Sequence, residues 1–409
     1  MHKDVPSWIM EVSDLVLRGA VANDDLRDLL AQACEQLLGH GIPLWRVSLS
    51  MRAIDPTVRA LSFVWRPGTD VATDETPYMA ADEDEAAYGR SPIVYMLSHD
   101  LQVHCWQLER GEGCDVIPIL AELRQQGATH YVMWLVRFGG PTTPALPGMA
   151  LGVATDRLGG FGGHELAALD ALLPTIGLAA CRFALTRTAS ELLSVYLGPM
   201  TAQRVLAGEV HRGTGRAIDA AILIADLRGF TALASREDPL CVVRWLDQYL
   251  EAIGGSLSDH GGEVLKFLGD GLLAVFPEDG PDGEQACVHA LAAAQETLAR
   301  TAALNAARRK EALPALALDI ALHRGEVVYG NVGAARRLDF TVIGRAVNEA
   351  SRIEGLCERL GRSLLFSASF AARCRQPVLS LGCFRLRGID EELEVLTLDG
   401  GPAGYRLES

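Results

Sequence analysis

The chain has 409 residues, 49% hydrophobic and 22% charged, which suits packed structure in two domains and excludes long disorder. A formal net charge of −15, with no Lys/Arg run, leaves no basic face for a nucleic-acid backbone or an anionic membrane, so neither is expected as a partner. Nine cysteines, an odd number without a CxxC pair, read as reduced thiols of a soluble, cytoplasmic protein rather than a disulfide framework.

The first residues, Met1 to Pro6, lack the basic-then-apolar layout of a signal peptide. Residues 1–186 read as an α+β domain. Helical periodicity covers Trp8–Gly19 and Asp24–Leu38, the second capped by Asn23 and stopped by Gly39 and Gly41. Strand-like runs follow at Leu44–Ala53 and Val58–Trp65, turning at Asp55-Pro56, and recur at Leu101–Gln107, Thr129–Phe138 and Met149–Ala154. Helices are expected near Asp82–Tyr88 and Asp115–Gln126. The uncharged stretch from Phe138 to Thr155 is broken by Gly and Pro, so it is not expected to span a membrane. A long helix from about Gly163 into Arg187 closes the domain. His99, His104, Cys105 and Cys114 cluster loosely but lack metal-ligand spacing.

Residues 187–215 read as a linker, in which Thr188–Leu197 continues the helix and Gly198-Pro199 breaks it. The stripe Leu192, Val195, Tyr196 fits either a short coiled-coil seam or an ordinary packed face. Beyond 216 the apolar run Ala220–Ala225 leads into Asp226. A helix is expected over Pro239–His260, and strands over Glu263–Leu268 and Leu272–Phe276, joined through Gly269-Asp270-Gly271. An Ala-rich helix follows at about Glu284–Arg309 and a strand at Ala315–Ala321. The order then runs through a hairpin around Gly330–Leu338, a strand at Phe340–Ile343 and a helix over Arg345–Leu360. This suggests a ferredoxin-like sheet with helices on one face.

Asp226 and Asp270 each leave the end of an apolar strand. Two such carboxylates meeting across a sheet would suit Mg²⁺, which takes hard oxygen ligands and leaves positions for phosphates. Singly, an aspartate at a strand end is more often a cap or turn residue. Gly229 lets the backbone approach a ligand, and a helix starting near Phe230 and Thr231 would offer free N–H groups to a triphosphate.

The segments "AAILIADLRGFTALA", "GGEVLKFLGDGLLAVFP" and "LDFTVIGRAVNEASRIEGL" resemble the signature segments of class III nucleotidyl cyclases over about residues 216–398. The linker "YLGPMTAQRVLAGEVHRGTG" resembles segments that precede this domain in bacterial multidomain cyclases. The resemblance implies an α+β, ferredoxin-like catalytic domain over 216–400, with a tail at 401–409. It also implies adenylate cyclase activity, ATP yielding 3′,5′-cyclic AMP and pyrophosphate. Asp226 and Asp270 fall on the aspartates that bind two Mg²⁺ (or Mn²⁺) ions per site, one acidifying the ribose 3′-OH and the other holding the leaving pyrophosphate. Asn348 and Arg352 match the pair that positions the ribose and stabilises transition-state charge. They lie four apart on one helix face.

Lys266 occupies the position where adenylate cyclases carry a lysine that donates to adenine N1 and where guanylate cyclases carry glutamate. The chain holds only three lysines, Lys3, Lys266 and Lys310, so a generic surface cation there is the weaker explanation. Thr341 matches the second base-reading position, where a hydroxyl can accept from the adenine N6 amine. Lys with Thr resembles the class IIIb subset, several members of which respond to bicarbonate. Arg387 falls where relatives place a triphosphate-binding lysine, and both a phosphate-binding and a structural role are open. In the family the metal aspartates and the Lys, Thr, Asn and Arg of one site come from different protomers. A full set on one chain implies a head-to-tail homodimer with shared sites. Residues 1–186, ending in "FGGHELAALDALLPTIGLAACRFAL", resemble a GAF-type sensor domain in layout, with an unnamed small-molecule regulator.

The alternatives are a guanylate cyclase, disfavoured by Lys266, and a non-catalytic nucleotide-binding sensor, which would require a missing catalytic group. A diguanylate cyclase would need a GG(D/E)EF hairpin where this chain has Leu268-Gly269-Asp270-Gly271-Leu272. A P-loop is excluded by the absence of any Gly-Lys dipeptide.

Overall fold

A computed structural model of the chain describes residues 6–55, 58–77, 89–139, 146–278, 285–334, 337–374, 376–389 and 391–399. The expected helix near Asp82–Tyr88 lies outside these residues, as does the tail at 401–409. The chain divides into two compact units, Met1–Leu192 and Leu193–Ser409.

The first unit opens with helices α1 (Ser7–Ala22) and α2 (Leu26–Gly39). Asn23 does not cap α2. It ends α1 in the left-handed conformation that Asn tolerates, and Asp25 caps α2 by accepting from the Arg27 N–H at 2.8 Å. Among the described residues the strands β1 (Arg46–Arg52), β2 (Val58–Trp65), β3 (Ala72–Pro77), β4 (Val103–Gln107), β5 (His130–Arg137) and β6 (Gly148–Thr155) form an antiparallel sheet. Its order is β3-β2-β1-β6-β5-β4. Strand β3, with the sequence Ala-Thr-Asp-Glu-Thr-Pro, is a polar edge without strand propensity, and its sequence does not announce it.

One face of this sheet packs on α1, α2 and α5 (Gly163–Leu197), the other on α3 (Pro92–Ser98) and α4 (Pro118–Gln125). His99 stacks on Tyr95 and His104 sits edge-on to Trp106, so these histidines serve an aromatic cluster. Helix α5 runs unbroken for 35 residues through Pro174, burying Ala168, Leu169, Leu172, Ala179, Ala180 and Ala184 in the core of the first unit. Among the described residues it is the one helix long and apolar enough to cross a membrane by length and composition. A buried core helix meets the same test.

In the second unit, α6 (Pro199–Leu206) starts after Gly198 and leads to the central strand β7 (Gly215–Arg228). That strand lies between β10 (Ala317–Ala334) and β9 (Gly271–Pro277), with β8 (Glu263–Leu268) beyond β9. Alternate β7 residues Ala221, Leu223, Ala225 and Leu227 pack under α8 (Pro239–Asp259) and α9 (Ala286–Lys310). Ile218, Ala220, Ile222 and Ile224 face the other way, onto β11 (Arg337–Ile343) and α10 (Arg345–Glu354). Burial on both faces explains the uninterrupted apolar run. Helices therefore cover both faces, not one as the sequence suggested. The expected single helix over Arg345–Leu360 divides at Gly355 into α10 and α11 (Cys357–Leu360). Beyond β10 the sheet continues through β12 (Leu364–Ser367), β14 (Glu392–Leu398) and β13 (Val378–Arg385), with α12 (Ala368–Ala371) between β12 and β13.

A buried polar triad ties α6 to this sheet. Glu263, 2% exposed, accepts from the Thr201 N–H at 2.9 Å and the Tyr329 hydroxyl at 2.8 Å. The Thr201 and Tyr329 hydroxyls lie 2.8 Å apart. Removing one donor leaves a buried carboxylate short of a partner, at a cost of about 1–3 kcal/mol. Tyr329→Phe should therefore lower the urea midpoint followed by far-UV circular dichroism, and an unchanged midpoint would show that the triad does not stabilise the unit.

Candidate active site

The register of the sheet gathers carboxylates at one end of β7. Asp226 lies opposite Asp319 on β10, while Ala225 lies opposite Leu272 on β9. The tight turn between β8 and β9 then carries Asp270 back towards Asp226. A Cβ added at Gly271 would stand 2.7 Å from Asp226 Oδ1, so only glycine lets the turn close here. Burial pushes the half-buried Asp226 carboxyl up, and the charges of Asp270 and Asp319 push it further. The structure thus brings Asp226 and Asp270 together.

Two neighbouring carboxylates were not expected from the sequence. Asp319, 5% exposed, is held by Arg228 through two parallel contacts, Nε to Oδ2 at 2.9 Å and Nη2 to Oδ1. Glu354, at the end of α10, is pushed up to about 7, first by burial and then by Asp226 and Asp319, with Asp270 adding to it. A charged residue inside the apolar run "LALDIALH" was the available signal for Asp319; nothing local marks Glu354.

This donor set fits a hard divalent cation. Asp226 and Asp270 supply carboxylate oxygens in a region of surplus negative charge, where Arg228 is committed to Asp319. Among the described residues no three His, Cys, Asp or Glu side chains form a closed metal cage. Ions held by two aspartates would complete their shells with phosphate oxygens and water, the usual pattern for Mg²⁺. Next to the aspartates, Gly229 takes φ +81° and α7 (Phe230–Ala234) begins, with Phe230 buried and Thr231 exposed.

A second group forms on the β8 and β11 side. Lys266 is half exposed and makes an ion pair with Asp339 of β11. Phe340 and Val342 are buried, so Asp339 and Thr341 share the opposite side of that strand. Lys266 and Thr341 therefore belong to one surface, with Asp339, also not expected from the sequence, linking them. On α10, Ala346, Glu349, Ala350 and Ile353 are buried, leaving Asn348 and Arg352 exposed together. Among the described residues neither side chain has a hydrogen-bond partner, and Arg352 forms no ion pair with the aspartates. Arg387 is exposed in the turn after β13 and makes no bond to any other site residue.

Residues 215–361 match the family described as Adenylate and Guanylate cyclase catalytic domain. An adenylate cyclase of Anabaena cylindrica is 36% identical over 196 residues, covering 46% of this chain and 36% of the relative. Adenylate cyclase 1 of Rhizobium meliloti is 32% identical over 183 residues, covering 44% of this chain and 27% of the relative. The chain thus spans about a third or less of the length of these two relatives. A solved structure of a bacterial light-regulated adenylyl cyclase is similar at TM-score 0.47 and 20% identity, over 61% of this chain and 82% of that one. Residues 215–361 thus carry an adenylate and guanylate cyclase catalytic domain.

Proposed function

We propose that the chain is an adenylate cyclase that converts ATP to 3′,5′-cyclic AMP and pyrophosphate. The observation that carries this is the meeting of Asp226 and Asp270 at the end of β7, in a chain whose Lys266 shares a surface with Thr341. In the reaction the ribose 3′-oxygen forms a bond to the α-phosphorus. The bond from that phosphorus to the β-phosphate bridging oxygen breaks, pyrophosphate leaves, and the 3′-hydroxyl proton passes to solvent. Two Mg²⁺ or Mn²⁺ ions held by Asp226 and Asp270 would supply acidification of the 3′-hydroxyl and neutralisation of the triphosphate.

The chain's own side chains do the rest. Lys266 donates to adenine N1 and Thr341 accepts from N6, so both read an edge that guanine presents differently. Asn348 orients the ribose, and Arg352 stabilises charge developing on the α-phosphate. The N–H groups around Gly229, Phe230 and Thr231, with Arg387, bind the triphosphate.

The working form is a homodimer with two shared sites. In support, Asn348 and Arg352 face solvent within one chain, without contact to the aspartates they must work beside. The N-terminal unit is a GAF-like regulatory domain, a reading supported by its helix-flanked antiparallel sheet and long closing helix. All nine cysteines are unpaired, which supports a cytoplasmic location.

Asp270→Asn should cut cyclic AMP formation to background, and Arg352→Ala should cut it by about 10²- to 10³-fold to a still measurable rate, while both proteins stay dimeric. Mixed as heterodimers, the two variants should regain activity through one intact site, and proven heterodimers without activity would contradict shared sites. Lys266→Glu should lower kcat/KM for ATP by about tenfold or more and raise the GTP-to-ATP ratio; an unchanged ratio would remove Lys266 from base selection. Thr341 leads us to expect activation by bicarbonate at constant pH, an expectation that a flat dose response would end.

A further inference from the structure

The buried side of α10 carries one charged group. Glu349, 7% exposed, lies among Ala346, Ala350 and Ile353, and both its carboxylate oxygens are held. Oε2 stands 2.9 Å from Nε2 of His323 on β10, a residue 3% exposed. Oε1 accepts from Arg345 Nε at 2.6 Å, and the same guanidinium reaches Glu391 Oε2 at 3.0 Å. The other ring nitrogen of His323, Nδ1, lies 2.8 Å from the Ser367 hydroxyl. Ser367 is fully buried and caps α12 by accepting from the Phe370 N–H at 3.3 Å. Burial holds the imidazole below its usual range, although Glu349 opposes this. A neutral ring satisfies every partner, with Nε2–H donating to Glu349 and Nδ1 accepting from Ser367.

Two alanines and an isoleucine pack a helix against a sheet without fixing its rotation closely. A carboxylate held from the sheet does fix it. Glu349 follows Asn348 directly and precedes Arg352 by three residues. With side chains reaching about 5–6 Å from the helix axis, a turn of about 10° would carry both outer groups about 1 Å. We infer that His323 is a positioning residue: by gripping Glu349 it sets the rotation of α10, and with it where Asn348 and Arg352 meet the substrate. This deepens the cyclase reading above and rests on it.

The test is steady-state kinetics of His323→Asn, His323→Gln and Glu349→Gln in the full-length chain. Asn keeps a group near Nδ1 and loses Glu349, whereas Gln can still reach Glu349. His323→Asn should lower kcat by about 10²-fold with KM for ATP little changed, as expected of a misplaced catalytic group. His323→Gln should recover much of that loss. In an Arg352→Ala background, His323→Asn should cost less than about threefold more, because both changes remove the same contribution.

Full additivity with Arg352→Ala, or an equal loss in the Asn and Gln variants, would overturn the inference. So would unfolding of all three variants by circular dichroism, since the pair would then be structural only. Absence of wild-type turnover in the same assay would instead remove the cyclase reading, and the positioning role with it.

Discussion

The second unit is organised around like charge collected at the buried end of one strand. Strand β7 is covered on both faces, so its polar residues can appear only where it runs out of core, and there Asp226 stands beside Asp319. The turn after β8 adds Asp270, and the end of α10 adds Glu354. Arg228 answers one of these carboxylates through a paired contact with Asp319. Burial and mutual repulsion push Asp226 and Glu354 towards protonation, and a bound divalent cation would relieve the same repulsion while keeping the carboxylates ionised. A site built this way is poised for a polyanionic substrate that arrives with its metal, although the whole chain is itself acidic.

The remaining side chains follow from strand and helix periodicity. Burial of Phe340 and Val342 turns Asp339 and Thr341 outward, where Asp339 receives Lys266. Burial of Ala346, Glu349, Ala350 and Ile353 turns Asn348 and Arg352 outward. The acidic end and the surface that Lys266 shares with Thr341 are two groups within one chain. Under the proposed cyclase reading, a second copy would bring the two groups together on one nucleotide.

Much of this arrangement is legible in the amino-acid sequence. The apolar run Ala220–Ala225 announces a buried strand, and Gly269-Asp270-Gly271 announces a tight turn, so both aspartates can be placed at strand ends. Asp319, Glu354 and Asp339 are not legible, because each acquires its role from a partner distant in sequence. Asp319 needs the β7–β10 register, Glu354 the docking of α10, and Asp339 the approach of β8 to β11. Glu349 looks like an ordinary helix-surface residue until packing turns it inward onto His323. Strand β3 is hidden by a polar composition. The cap of α2 is ambiguous because Asn23, Asp24 and Asp25 all offer capping side chains, and only the backbone shows that Asp25, not Asn23, takes that place.

The central claim is that this acidic strand end performs ATP cyclisation, with Lys266 selecting the base. It is tested most directly by incubating the purified full-length chain with Mg²⁺ and either ATP or GTP, and quantifying cyclic nucleotide and pyrophosphate together. The account predicts equimolar cyclic AMP and pyrophosphate from ATP, at a kcat/KM well above that for cyclic GMP from GTP. Preference for GTP, or pyrophosphate released without cyclic product, would contradict it.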